Sequence, residues 1–187
     1  MKLALLLVAA TPAIASAQAN LLTAPSGRGM TQVAISPPTP EGQQGPPPLL
    51  IKIDFGQPHA RGRAVAGALA GDLGKVWRLG ANEATSLRTD VDLVIGGATI
   101  PKGTYTLLAE TTPNAWKLIV SKKTGADALQ YDAAQDVAKV PLTARTLTTP
   151  LESLTIWLIP AAGGALKGEL RFAWGTLEHS VDWSVKQ

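Results

Sequence analysis

The chain has 187 residues, 17 basic and 14 acidic side chains, a formal charge of +3 and no cysteine. The missing cysteine excludes disulfides, thiolate nucleophiles and thiolate metal sites, and so weak a positive balance argues against a nucleic-acid binder, which needs a basic stripe. Without Lys2 the count falls to 16 basic against 14 acidic, or +2.

The first residues read as an export signal. Lys2 gives a positive start, residues 3–10 form a short apolar run, and Ala15-Ser16-Ala17 is a small-x-small cleavage site before Gln18. The run is too short to span a bilayer, which takes roughly 20 apolar residues. No later run reaches that length, so no transmembrane segment is expected. The expected organisation is a signal peptide at 1–17, a flexible arm with a Pro-rich loop at 18–48, and one β domain at 49–187. The destination is the periplasm or the medium. Roughly 170 residues suffice for one domain held by its core alone.

Residues 18–30 are polar and carry glycine and proline, as a loose arm would. Residues 31–36 suit a short strand. Pro37, Pro38, Pro40, Pro46, Pro47 and Pro48 then mark an exposed loop, because proline lacks a ladder donor. Leu49, Ile51, Ile53 and Phe55 alternate with Lys52 and Asp54, which predicts a strand. Residues 64–70 suit a short helical turn. From Thr85 the period is two: Thr85, Leu87, Thr89, Val91, Leu93 and Ile95 share one face. Gly96-Gly97 predicts a type I′ turn, whose two central residues need positive φ.

Residues 98–100 return, Pro101-Lys102-Gly103 turns, and Tyr105, Leu107 and Ala109 line the next strand. Thr112-Pro113-Asn114 is a turn, and Trp116, Leu118 and Val120 line a further strand that Lys122-Lys123-Thr124-Gly125 closes. Residues 126–136 are less regular. Residues 137–145 suit one strand, with Pro141 at an edge or bulge. Leu154, Ile156 and Leu158 alternate, then Leu166, Leu170, Phe172 and Trp174. Gly175-Thr176 is a turn before Leu177, His179, Val181, Trp183 and Val185. The sum is an all-β, antiparallel sandwich or barrel-like domain of about eight to ten strands with little helix.

The segment 61–85 holds the densest set of long polar side chains among glycines. It reads Arg61-Gly62-Arg63, then Gly74-Lys75-Val76-Trp77-Arg78-Leu79-Gly80-Ala81-Asn82-Glu83-Ala84-Thr85. With Pro58 before it and Ile95-Gly96-Gly97 and Pro101-x-Gly103-Thr104-Tyr105-x-Leu107 after it, this pattern resembles the DUF2911 family over residues 51–187. The resemblance implies an exported bacterial domain rich in β-structure and implies no activity. Two features depart from the usual pattern: Gln57 before Pro58, where an arginine or similar residue is usual, and the Pro-rich insert at 37–48.

The residues themselves suggest a site. Arg61, Arg63, Lys75 and Arg78 offer donors for an anion or for hydroxyls. Trp77 offers a flat face for a sugar ring, and Asn82 and Glu83 can sort hydroxyls. His59 adjoins the Arg61 turn and joins the set. The expectation is non-catalytic binding of a small acidic or hydroxyl-rich ligand, a glycan fragment for example, without cofactor or metal. Two other readings stay open. A carbohydrate hydrolase would use Glu83 with a second carboxylate such as Asp54 or Glu110. A structural or protein-interaction domain would use the arginines only to satisfy carbonyls and carboxylates. His179 lies on an apolar strand face, which suits a core histidine better than a ligand. The oligomeric state has no signature in the sequence.

Overall fold

The computed structural model describes residues 21–65, 74–112 and 115–187. The signal read at 1–17, most of the helical turn read at 64–70, and Pro113-Asn114 of one predicted turn lie outside the described residues.

The described strands are β1 (Ser26–Ile35), β2 (Leu49–Pro58), β3 (Val76–Trp77), β4 (Thr85–Thr89), β5 (Leu93–Ile95), β6 (Ala98–Ile100), β7 (Gly103–Thr111), β8 (Trp116–Ser121), β9 (Asp136–Pro141), β10 (Thr143–Pro160) and β11 (Lys167–Val185). They form two antiparallel sheets. The larger runs β1-β2-β4-β7-β8-β9, with β3 also on β7; the smaller runs β10-β11-β5-β6. The domain is all-β, as expected, and of the two forms the sequence allows it takes separate sheets rather than a closed barrel.

Both sheets turn one face to a single core. Ile51, Ile53, Leu87, Leu107, Leu118 and Val120 enter it from the larger sheet. Leu93, Ile100, Leu154, Ile156, Leu170 and Phe172 enter it from the smaller. Each such side chain contributes about 1.5–3 kcal/mol on leaving water. The alternation from Thr85 to Ile95 is real, but it spans two sheets. The chain crosses at Asp90, Val91 and Asp92 with its parity kept, because both sheets look into the same core. Hydrogen bonds pin the crossing: Leu50 N–H donates to Asp90 Oδ2 at 3.0 Å and Lys102 N–H to Asp92 Oδ1 at 2.7 Å. Gly96 and Gly97 both have positive φ, as the predicted turn requires.

Three elements differ from the sequence pattern. β1 starts at Ser26, within the stretch expected as an arm, and pairs with β2 over ten residues from Ser26↔Pro58 to Ile35↔Leu49. Its inward position Gly29 has no side chain to reveal the period, and the Phe55 ring fills that place. The strand read at 137–145 is two strands in different sheets: β9 ends at Pro141 on the large sheet, and β10 begins at Thr143 on the small one. Gly175 is not a turn. β11 runs through it with φ +60°, and the buried side switches from Leu170, Phe172 and Trp174 to Leu177, His179, Val181 and Trp183. The positive φ of Gly175 breaks the alternation where the β10–β11 register shifts, the surplus residues there lying on β10.

The irregular segment 122–135 lies over the outer face of the large sheet. Leu108 and Ile119 point away from the core yet are buried, as is Ala128 of the 3-10 turn Gly125–Leu129. This cover gives the outer face a wall and so makes a hollow there.

Candidate functional site

The loop 78–84 is held by backbone bonds, a buried leucine, a threonine hydroxyl and one charged side chain, Arg78. Leu79 and Asn82 have left-handed φ of 52° and 62°. The buried Leu79 side chain and the bond from Thr85 Oγ1 to Leu79 O at 2.8 Å hold this turn. Ala81 N–H donates to Gly56 O at 3.1 Å. That approach needs Gly56, since a Cβ there would lie 1.7 Å from Ala81 O. Arg78 caps the loop from outside, donating to Asn82 O at 2.6 Å.

The loop so placed brings Asn82 and Glu83 to the end of β1. Asn82 Nδ2 donates to Ser26 Oγ at 3.0 Å, and Arg28 Nη1 donates to Glu83 Oε2 at 3.0 Å. The other Arg28 nitrogen pairs with Asp54 Oδ1. One guanidinium thus joins the two carboxylates, Asp54 and Glu83. Glu110, the other partner considered for Glu83, belongs to a separate group: Lys139 holds it at 2.9 Å and Lys117 at 3.5 Å, which lowers its pKa.

Beside Arg28 and Glu83 a hollow of about 570 Å³ opens on the outer face of the large sheet. Ser86, Thr104 and Thr106 form its floor, and Thr124 and Leu129 stand in the wall opposite. The floor continues a cross-strand row, Asp54↔Ser86↔Thr106↔Ser121, that runs through four strands. An adjoining hollow of about 300 Å³ is lined by Arg78, Leu108, Leu129 and Tyr131. Leu129, half exposed, stands between the two.

The remaining expected site residues lie elsewhere. Trp77, expected as a stacking face, is in the core. It stacks on Trp174 at 6.4 Å and meets the Trp116 ring edge-on at 6.2 Å. With Phe172 and His179 these rings form a buried aromatic cluster. Pairs of this kind add about 0.5–1.5 kcal/mol each. Lys75 is exposed at the start of β3, and its carbonyl accepts from Thr111 N–H at 3.1 Å.

Arg61, Arg63 and His59 form a second group, tied to the start of β10's inner half. His59 Nδ1 lies 2.7 Å from Ser153 Oγ, and Arg61 N–H donates to Glu152 Oε1 at 2.6 Å. Arg63 donates to Ala60 O and His59 O at 3.0 and 2.9 Å. The Arg61 guanidinium meets no partner among the described residues. Gln57, the family departure, spends its amide on Leu154 O at 3.0 Å, joining the two sheets.

Arg28, Ser86, Thr104 and Thr106 were not singled out by the sequence reading. Their signal was parity. All four stand on the polar side of their strands, and once β1 is paired to β2 they share one face with Asp54.

No curated protein and no solved structure matches the chain. The family model for DUF2911, described as a protein of unknown function, matches residues 38–183. The match starts within the Pro-rich stretch rather than at Ile51, so most of that stretch lies inside the family region. It takes in β2 through most of β11, including the loop 78–84 and the floor of the hollow, and the chain therefore belongs to the DUF2911 family.

Proposed function

We propose that this domain is a non-catalytic binding module for a small, neutral, hydroxyl-rich molecule such as a sugar. The observation that carries the reading is the hollow of about 570 Å³ with its hydroxyl floor of Ser86, Thr104 and Thr106 beside Arg28, Asn82 and Glu83. Its size falls in the range of small-molecule sites. Hydroxyls and an amide both donate and accept, as sugar hydroxyls do.

Charge balance narrows the ligand class. Arg28 is shared by two carboxylates, so it offers little to an incoming anion. A neutral polyol can accept from Arg28 and donate to Glu83 without displacing either ion pair. Arg78, lining the adjoining hollow, extends the site for a longer ligand. Behind the signal read at 1–17, the domain would meet such ligands outside the cytoplasm.

The test is calorimetric titration of the purified chain with neutral mono- and oligosaccharides. Glu83→Ala and Thr104→Val should each weaken binding about tenfold, with the melting temperature nearly unchanged for the exposed Glu83. If no sugar gives a saturable heat, or if both variants bind like the parent, the reading fails.

A further inference from the structure

A chemically different hollow lies at the mouth of the core. Trp116, Leu142, Ala144, Leu177 and His179 surround a space of about 430 Å³, with Arg145 at its rim. It forms where the chain passes from β9 to β10. Leu142 sits between those strands and donates its N–H to Trp116 O at 2.9 Å. Ala144 stands opposite His179, and Thr146 opposite Leu177, in the β10–β11 ladder. The walls therefore come from both sheets.

His179 is the polar group inside. It is 5 % exposed and packs on the Trp116 ring at 4.2 Å and on Phe172 at 5.3 Å. No group among the described residues hydrogen-bonds its ring nitrogens. Burial pushes its pKa down to about 4, so near neutral pH the ring carries one donor and one acceptor nitrogen. The ring nitrogens are not among the sealed, unpartnered atoms of the core, and His179 lines the hollow, so a polar atom arriving there can bond the imidazole.

The rim sets the charge of the ligand. Arg145 is committed to Glu178 Oε1 at 2.6 Å, and the Glu178 carboxylate also faces Arg171 at 3.9 Å. An anion entering here finds no uncommitted cation among the lining residues. The remaining side chains of the wall are apolar or aromatic, apart from Thr146, and polar atoms make up about half of its surface.

We propose that this hollow is a second ligand site, which takes a small uncharged ring compound bearing one hydroxyl. The ring lies against Leu142, Leu177 and Trp116, and the hydroxyl bonds the His179 imidazole. This site needs neither Glu83 nor the hydroxyl floor, so it stands independently of the sugar reading.

The probe is phenol, with toluene as the apolar control, read by NMR of the imidazole nitrogens in the full chain. The chain has two histidines, so His59 serves as the internal reference. Phenol should move the His179 signals saturably and leave those of His59 in place. Toluene should bind about fivefold more weakly, since it lacks the hydrogen bond. Ala144→Leu, at an exposed position, should fill the mouth and abolish the phenol response. Equal binding of phenol and toluene by the unaltered chain would overturn the proposal, and so would a phenol response that survives in a folded Ala144→Leu chain.

Discussion

Gly29 stands directly opposite Phe55, and the Phe55 ring occupies the space where a side chain on Gly29 would begin. A Cβ there would lie 2.4 Å from Phe55 Cζ, and Phe55 is a buried core residue whose ring would have to shift. Gly29→Ala should therefore destabilise the domain by about 2 kcal/mol. Gly27→Ala is the control, because its nearest neighbour would be Gln57 Oε1 at 3.9 Å. Urea unfolding of both variants checks the difference. Equal midpoints would mean that β1 is not seated as described.

Gly56 fixes the loop that carries Asn82 and Glu83. Gly56→Ala drives a methyl into the Ala81 carbonyl, which is backbone and can move only with the loop. The expected cost is roughly 3 kcal/mol. Sugar binding at the outer-face hollow should weaken too. Unfolding curves and titration of the same sample read both effects, and a variant as stable as the parent would contradict the close approach.

Arg63 and Arg61 are two residues apart yet should behave differently. Arg63 satisfies two carbonyls in its turn, so Arg63→Ala should cost about 1 kcal/mol. Arg61→Ala removes a guanidinium without a described partner and should leave the melting temperature within error. Comparable losses at the two positions would show that Arg61 has a structural partner after all.

His179 makes stability depend on pH in a defined window. Its pKa is about 4 when folded against an ordinary value of 6.5. Between these values the unfolded chain binds more protons, so stability rises with pH there. The contribution is complete above about pH 6.5, declines as pH falls, and is gone below about pH 4. The shift corresponds to roughly 3 kcal/mol at most, and the hollow beside the ring lowers that figure. His179→Phe should lose correspondingly less stability between pH 7 and pH 4 than the parent does. Parallel pH profiles would refute the assignment.

The sequence made much of the fold legible because both sheets bury one face, and a period of two reports such a face whichever sheet holds it. Leu87, Leu93, Ile156 and Phe172 are buried as their alternation requires. The period failed where burial does not alternate. In β1 the inward Gly29 is silent, and residues 143–150 of β10 are largely exposed on both sides. The candidate site was half legible. Asn82 and Glu83 do line a hollow, but Arg28 reaches them only through a strand pairing across a long loop. Trp77 misled because the charged Lys75 and Arg78 stand close on either side, while β3 is only two residues long and sets no visible period.

β11 carries two reading frames joined at Gly175. Upstream, even-numbered residues face the core; downstream, odd-numbered ones do. Were Gly175 to take an ordinary extended conformation, alternation would run on unbroken from Trp174 and turn the C-terminal stretch inside out. His179, Val181 and Trp183 would meet water, while Glu178, Ser180 and Asp182 would be driven into the core. Deletion of Gly175, by contrast, would make the alternation continuous and leave Leu177, His179, Val181 and Trp183 on the face of Trp174.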